Sequence, residues 1–400
     1  MRDEFTKTAL FALVAVVAVG LAAWVEPEAY RPSIFSDQGQ AFFERFRDVL
    51  AVKAIEVVDY NETEATARPL KAELRKSRWI LSSHSDYPAE ARDRLARTAA
   101  SLVDLKKDLV VSDRFEEHGK YGVIDPIDAR NPSLTGRGKR VTLRGDQNEV
   151  LAEVVLGHAV KERAGYRYAR LPGQKRTYAV KTDADPSARF EDWVEADLLK
   201  IGAADVRKLT LNLYSIDEGM GRLTNVQRIV MTRGEKDDWK IEPAGKITAG
   251  DARGIAAALA SLRIVGARPK PAELARQLKT RQLAMTLETV MSLRQRGFFI
   301  TPQGQLLANE GELLVETAKG LLYSLRFGEI VTGGAESAAP AAPKPAAKDG
   351  ENRYLFVTCS PRAPASGDGD GNGAASLDAR FADWYYVISG ADFARLRPKK

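Results

Sequence analysis

The sequence contains few of the residues that support redox and metal chemistry, with one cysteine and three histidines among 400 residues. The single Cys359 excludes an internal disulfide and a cysteine-based zinc site, and we expect it to pack with the strand predicted over 354–358. His84, His118 and His158 include no pair at the close spacing of a helical metal site, and no HExxH occurs. We interpret these histidines as surface or turn residues and predict no cofactor.

Common catalytic motifs are also missing. The chain has neither a GxSxG nucleophile elbow nor a GxxxxGK[ST] phosphate loop. The glycines within residues 135–139 precede a strand predicted over 140–144, so they lack the helix that a phosphate-binding loop needs. Glu116 with Glu117, and Glu310 with Glu312, could supply an acid and a base, but adjacent carboxylates on an exposed hairpin usually serve solvation. We therefore expect a protein that is not an enzyme and has no catalytic residues.

One glycine-rich acidic stretch matches the first half of a calcium-binding EF-hand loop. Asp368, Asp370 and Asn372 alternate along it, with glycine at the sixth position. The twelfth position should be a glutamate that binds calcium through both oxygens, but it is Ala379. A low-complexity acidic turn is the favoured interpretation, and we predict only a weak calcium-loop candidate here and no other metal site.

The chain has no strong charge of one sign. Sixty Lys and Arg residues are interleaved with 54 Asp and Glu residues, which gives a net charge of +6. Nucleic-acid binding needs a concentrated basic surface, so we predict no nucleic-acid partner. Nothing in the sequence predicts a small-molecule ligand either.

Residues 9–25 form the one long apolar run that we interpret as a membrane segment. As a helix this run is about 26 Å long, slightly less than a bilayer core of about 30 Å. A cleaved signal peptide is the alternative, but the sequence before Glu26 has no small-x-small cleavage site, and Trp24 occupies an interfacial position. Arg2 and Lys7 precede the run, which favours a cytoplasmic N-terminus. We predict a single-pass anchor in the cytoplasmic (inner) membrane, within residues 1–30, and a periplasmic or extracytoplasmic body that follows a connector at 31–50.

The body contains an internal repeat. Trp79 precedes an Ala-Ser-Leu sequence that ends at Leu102, and Trp239 precedes the same sequence, ending at Leu262, at the same spacing. Such self-similarity marks residues that build a fold. We predict a first repeat at 51–202 and a second at 203–400, with flexible Ala-, Pro-, Gly- and Asp-rich insertions at 332–350 and 363–375.

The sequence of each repeat predicts strands, then one amphipathic helix, then further strands. The first helix is expected to start near Pro88, with a buried stripe at Ala91, Leu95, Thr98, Leu102 and Leu105. The second has capping-box spacing at Thr248 and Asp251, and a further helix is expected from Pro271 to about Gln295. The predicted fold class is α+β, in which an N-terminal transmembrane helix precedes two mostly antiparallel sheets, each with one packed helix.

Several motifs in the body resemble a bacterial family known as the domain of unknown function numbered 4340. The first repeat carries the family-like sequence of residues 121–126 (YGVIDP), then 141–143, 155–157, 166–170 and 177–180, and the second repeat is similar to members with two copies. The resemblance implies a membrane-anchored, exported α+β body. Members often lie beside genes of ABC exporters of the gliding-motility kind.

This resemblance implies a non-catalytic scaffold or accessory subunit of a membrane transport assembly, with ABC transporter subunits as candidate partners. A cell-wall or polysaccharide binding protein is one alternative, which predicts that Tyr166, Tyr168, Trp384 and Tyr385 line one exposed face. An envelope hydrolase is a second alternative, which requires acidic or histidine side chains to meet in a cleft.

Overall fold

The structure is a computed structural model that describes residues 13–16, 37–195, 197–217, 222–280, 286–301, 303–331, 351–361 and 371–398, with the main chain alone at 217 and 371–373. Two large antiparallel sheets follow each other along the chain. The α+β class is therefore confirmed. Of the predicted membrane segment the structure describes only residues 13–16, which are helical and exposed. No helix within the described ranges is both long and apolar enough to span a membrane.

The first sheet has nine strands in the order β4-β3-β2-β1-β6-β7-β8-β9-β5. Their bounds are β1 Ala54–Asn61, β2 Thr66–Arg75, β3 Arg78–Leu81, β4 Tyr87–Pro88, β5 Leu109–Ser112, β6 Lys139–Arg144, β7 Val150–Ala159, β8 Tyr166–Arg170 and β9 Thr177–Lys181. Helix α1 (Arg92–Val103) packs on this sheet, and a short helix α2 (His118–Tyr121) precedes β6. The strand predicted over 140–144 is confirmed as β6.

The second sheet has eight strands in the order β12-β11-β10-β16-β17-β18-β19-β13. Their bounds are β10 Val206–Asp217, β11 Arg222–Arg233, β12 Trp239–Glu242, β13 Ile264–Pro269, β16 Glu312–Thr317, β17 Leu321–Ile330, β18 Arg353–Pro361 and β19 Trp384–Ile388, and a separate pair is formed by β14 Phe298–Ile300 and β15 Leu306–Ala308. The helices are α3 Ala249–Ala260, α4 Ala272–Thr280, α5 Leu287–Arg294, α6 Gly371–Ala382 and α7 Gly390–Leu396.

The two large sheets have the same strand order once β4 is set aside. Counterpart strands also share local packing. Gly157 in β7 and Gly328 in β17 each lie where a Cβ would come within 2.3 Å of a main-chain oxygen in the preceding helix-end turn. The carbonyl oxygen of Gly157 accepts a hydrogen bond from Arg167, and that of Gly328 accepts one from Arg353. Counterpart glycines and arginines thus make the same contacts in both sheets.

The predicted helix stripe is confirmed. Ala91, Leu95, Thr98, Leu102 and Leu105 are all buried against the first sheet. The periodic apolar positions account for this burial because residues three and four apart share one face of a helix. The predicted start near Pro88 is wrong, since Pro88 belongs to β4 and the helix begins at Arg92.

The predicted capping box at the second helix is also confirmed. The main-chain N–H of Thr248 donates to the carboxylate of Asp251 at 2.7 Å, and the N–H of Asp251 donates to the hydroxyl of Thr248 at 3.3 Å. These reciprocal bonds satisfy donors that the first helical turn leaves open. Helix α3 therefore starts where the sequence predicts.

Other predictions for the second half are wrong. The continuous helix expected from Pro271 to Gln295 is two helices, α4 and α5. The described residues of the second half form five helices, α3 to α7, whereas one packed helix and one further helix at 271–295 were expected. The flexible insertion expected at 363–375 ends earlier, since α6 starts at Gly371 and buries Ala374 and Phe381. The insertion at 332–350 lies outside the described residues.

One continuous hydrophobic core includes side chains of both sheets and of the segment that joins them, residues 182–205. Trp193 in this segment is fully buried, and its indole N–H donates to the carbonyl of Ser187 at 2.8 Å. Tyr87 of the first sheet packs edge-on against Trp384 of the second, with ring centroids 4.8 Å apart. The two sheets therefore share a packed boundary, and a cleft opens beside it.

Candidate functional site: the cleft between the sheets

A cleft of about 1020 Å³ lies where the two sheets meet. The first sheet contributes the end of the β1–β2 hairpin, Asp59 to Pro69, and the second contributes Val265, Gly266 and Arg268 of β13 with Val387 of β19. The segment 188–191 completes the wall, together with Val331, which follows β17, and Asn352, which precedes β18. Each sheet supplies part of the lining, so the cleft depends on how the two sheets pack.

His84 lines this cleft and belongs to a 3₁₀ turn (Ser82–His84) that follows β3. Its side chain is buried, its Nδ1 lies 2.8 Å from the hydroxyl oxygen of Ser83, and its ring packs against Phe190 at 5.1 Å. Burial lowers the pKa of His84 to about 4, and the positive charge of Arg268 adds to this effect. The imidazole is therefore neutral at physiological pH and can exchange hydrogen bonds without carrying a charge.

The charged side chains of the cleft are of both signs, and several pair with one another. Arg68 and Glu64 form an ion pair at 2.6 Å on the β1–β2 hairpin. On the opposite side, Arg189 lies 3.5 Å from Glu191 and 3.0 Å from Asp192. Exposed pairs of this kind contribute little stability, but they leave a polar rim of mixed charge. Such a rim suits a partner that carries both charges, as polypeptides do.

A smaller cleft of about 360 Å³ lies next to the first one and shares Asp59 and Arg189 with it. Lys139 lies here 3.2 Å from Asp185 and 4.0 Å from Asp59. Arg94, on helix α1, is 3.7 Å from Asp192. The acidic side chains of this smaller cleft thus face basic partners instead of one another.

Sequence reasoning gave no indication of the buried lysine in the second sheet. Lys270 follows β13 and is nearly inaccessible, and its ammonium group donates to the carbonyl oxygens of Phe381 at 2.8 Å and Trp384 at 2.6 Å. The same group lies 4.1 Å from the ring centroid of Phe356. Burial lowers the pKa of Lys270 to about 7. The two acceptor carbonyls lie near the end of α6 and at the start of β19. We therefore interpret Lys270 as a clamp that holds these two elements together.

Arg137 was also missed, although it organises the loop that carries the family-like motif. Its guanidinium donates to five main-chain carbonyl oxygens of residues 125–133, at 2.6–3.3 Å, and lies 4.7 Å from the ring centroid of Tyr60. A rigid planar group with five donors suits this task. The loop is thereby fixed against β1, next to the cleft.

The four residues that mark the repeat in the sequence lie in or beside the core. Trp239 begins β12 and is 8% exposed, Trp79 in β3 is half-buried against the core, and both Leu102 and Leu262 are buried. Each tryptophan lies in a short strand before its helix. These residues therefore serve packing.

The interpretation of the histidines as surface or turn residues agrees with the 3₁₀ turn of His84 and with the exposure of His158, and it is wrong for His118, which begins helix α2. His84 and His118 are buried, and a ring nitrogen of His118 lies 2.8 Å from the carbonyl oxygen of Lys175. Only His158 is exposed. In the part of the chain that the structure describes, no three His, Cys, Asp or Glu side chains come together in a way that could hold a metal ion.

Of the three calcium-loop candidate residues, the structure describes only Asn372. Asp368 and Asp370 lie outside the described residues, and Asn372 is in the first turn of α6, where only the main chain is described.

Cys359 is buried in β18, within one residue of the predicted strand, and its N–H donates to Asp378 at 3.0 Å.

The predicted acidic pairs have different surroundings. Glu116 and Glu117 form part of a 3₁₀ turn beside Phe115. Glu310 lies 3.4 Å from both Arg353 and Arg397, and Glu312 lies 3.2 Å from Arg326. The second pair is therefore tied to arginines and does not face the cleft.

The four aromatics of the glycan-binding alternative do not share one exposed face. Tyr385 is fully buried, and Trp384 packs against Tyr87 at the boundary between the sheets. Tyr168 packs on Tyr121 with centroids 4.8 Å apart, while Tyr166 lies beneath the guanidinium of Arg163. Three of the four thus contact other rings of the protein or its core.

Comparison with known protein families gives one match. Residues 79–305 match the family described as Domain of unknown function (DUF4340), over a range that runs from β3 to the residue before β15 and covers more than half of the chain. Neither the curated proteins nor the solved structures give a match. The chain therefore belongs to the DUF4340 family.

Proposed function

We propose that this chain is a membrane-anchored, exported scaffold or accessory subunit of a membrane transport assembly, and that the cleft between its sheets receives a segment of a partner protein. The observation that carries the proposal is the cleft itself, which has walls from both sheets and a polar rim of mixed charge. Its volume lies at the upper end of the range for ligand pockets. By family resemblance, the partner would belong to an ABC-type exporter.

The start of the described connector, at Asp37, is bound to the first sheet, which supports a short tether between this sheet and the membrane. The carboxylate of Asp37 accepts a hydrogen bond from Tyr178 of β9 and lies 3.1 Å from Arg176 and 3.5 Å from Lys107. Only residues 26–36 separate Asp37 from the apolar run, a span of at most about 40 Å. An anchored chain would hold its first sheet close to the bilayer, where a membrane transport assembly could be reached.

We also propose that the two sheets arose by duplication of one unit. The shared strand order supports this proposal, and so do the matching contacts of Gly157 with Arg167 and of Gly328 with Arg353. A duplicated module presents two similar units side by side, and the boundary between them is a natural place for a composite binding site.

The test is crosslinking in intact membranes, followed by solubilisation, affinity capture of the tagged full chain and mass spectrometry. A control chain has residues 9–25 replaced by an unrelated membrane anchor. We expect ABC transporter subunits to be recovered with both chains, because the proposed contact lies in the cleft between the exported sheets. Recovery with the native chain alone would assign the contact to the anchor and would contradict binding in the cleft. Recovery of no protein partner would overturn the proposal.

A further inference from the structure

We propose that the partner segment binds in the cleft as an extended strand that adds to the outer edge of β2 at residues 66–69. This inference rests on the proposed function and specifies how the partner is held. Addition of a strand to an exposed sheet edge is a common mode of peptide recognition, in which main-chain hydrogen bonds give affinity and alternate side chains give specificity.

The outer edge of β2 is open along its first half. Strand β3 pairs only with Ala72 to Arg75 of β2, while β2 itself starts at Thr66. All of Thr66, Ala67, Arg68 and Pro69 line the cleft. Each of these four residues is at least partly exposed. Residues 66–69 therefore pair with β1 on one side, and on their outer edge no strand among the described residues pairs with them.

Two hydrogen bonds establish which main-chain groups of β2 face β1 and which face its outer edge. The N–H of Leu74 donates to the carbonyl of Lys53 at 2.8 Å, on the β1 side, and the N–H of Lys71 donates to the hydroxyl of Ser83 at 2.9 Å, on the outer side. Main-chain groups of a strand alternate between its two neighbours. Ala67 and Pro69 therefore direct their groups outward, as Lys71 does.

The open edge offers one donor and two acceptors. The N–H and the carbonyl of Ala67 can bond the same residue of an incoming antiparallel strand, and the carbonyl of Pro69 can accept one further N–H. Pro69 has no N–H of its own, so it restricts which registers an added strand can adopt. Proline and charge at an edge also discourage unselective pairing, which fits a site that must reject most extended chains.

The rest of the cleft is suited to the side chains of such a strand. Phe190, Val265 and Val387 provide apolar surface around His84, and the ion pairs described above form the rim. One face of an added strand can therefore bury apolar side chains, while the opposite face meets charged groups. Alternation of apolar and polar residues is expected in the partner segment.

The probe is a phage-displayed library of random decapeptides, selected on the full chain in detergent micelles. Peptides selected in this way are then made with a fluorophore, and their Kd is measured for three variants. Ala67→Pro removes the outward N–H without touching the bonds to β1, and we expect binding at least about tenfold weaker. Ala67→Ser keeps the N–H and is the matched control, with unchanged binding expected. Pro69→Ala supplies a new outward N–H, and we expect tighter binding.

Methylation of single amides of the peptide provides a test that does not depend on the fold of a variant. Methylation of the amides that face β2 should abolish binding, and methylation of alternate amides should not. The proposal is wrong if selection yields no binding peptide, or if Ala67→Pro, Pro69→Ala and peptide methylation all leave Kd unchanged.

Val331 and Asn352, which flank residues 332–350 in the sequence, line the cleft, so a chain with residues 333–349 replaced by a short Gly-Ser linker is measured in parallel. If the peptides bind only to this shortened chain, the chain's own residues 333–349 occupy the position of a partner, which contradicts the proposal. The Ala67→Pro chain is also used in the membrane crosslinking experiment. If this variant loses peptide binding but still captures the same partners from membranes, the accessory function stands and strand addition at β2 is wrong.

Discussion

Moderate acid should destabilise this protein through His84. The imidazole is buried at the boundary between the sheets, where burial and Arg268 lower its pKa to about 4. An unfolded chain would give the same group a pKa of about 6.5. The unfolded state therefore binds the proton first, so the contribution of His84 to stability is complete above about pH 6.5 and is lost as the pH falls towards 4.

The size of the effect follows from the two pKa values. Each pKa unit corresponds to about 1.4 kcal/mol, and the difference in proton binding between the two states gives a loss of about 2 kcal/mol at pH 5 and about 3 kcal/mol at pH 4. The loss at pH 5 is the more useful quantity because most carboxylates are still ionised there. A loss of 2 kcal/mol is a large fraction of the stability of an ordinary domain.

The assay is urea unfolding of the full chain in micelles between pH 8 and pH 4.5, followed by tryptophan fluorescence. His84→Phe keeps a ring beside Phe190 but cannot take up a proton, and we expect it to lose about 2 kcal/mol less than the native chain between pH 8 and pH 5. His158 is exposed, so His158→Gln should follow the native chain. If native and His84→Phe curves run parallel over this range, the assignment of acid sensitivity to His84 is refuted.

Three further predictions concern packing, and each is measured by chemical unfolding at pH 7.5. Lys270→Met leaves two buried carbonyls without their donor and should lower the free energy of unfolding by about 2–4 kcal/mol. The control Lys279→Met removes a half-exposed ion pair and should lower it by less than about 1 kcal/mol. Equal losses would contradict the role of Lys270 as a clamp. Gly157→Ala should destabilise the protein, because the added Cβ would lie 2.3 Å from a carbonyl oxygen. The control Gly254→Ala, in α3, adds a Cβ into open space and should stabilise the protein by up to about 1 kcal/mol. Arg137→Lys keeps the charge but loses the fork of donors, and should cost about 1–3 kcal/mol and speed amide exchange in residues 125–133; unchanged exchange would show that Arg137 does not hold this loop.

Elements with a local pattern were predictable from the sequence. The stripe from Ala91 to Leu105 repeats with helical spacing, and the pair Thr248 and Asp251 marks a helix start within four residues. Strand counterparts in the two sheets could be matched because the two tryptophans and the sequences after them are similar. Each of these signals lies within one element, so it does not depend on distant parts of the chain.

The cleft could not be predicted, because its walls come from segments that are far apart in sequence. The β1–β2 hairpin, the segment 188–191 and β13 meet only after both sheets have formed. Burial of His84 and of Lys270 has the same origin, since no neighbour in sequence distinguishes them from surface residues. The break between α4 and α5 was also missed, because the apolar residues of 271–295 suggest one helix.

Site-specific photo-crosslinking in cells tests the central claim that the cleft is where the partner binds. A photoreactive amino acid is placed at Glu62, which lines the cleft, and in a control at Glu235, which is exposed between β11 and β12 at the opposite end of the second sheet. We predict that irradiation yields a discrete crosslinked protein from position 62 and not from position 235. Equal crosslinking from both positions, or crosslinking from 235 alone, would contradict the account.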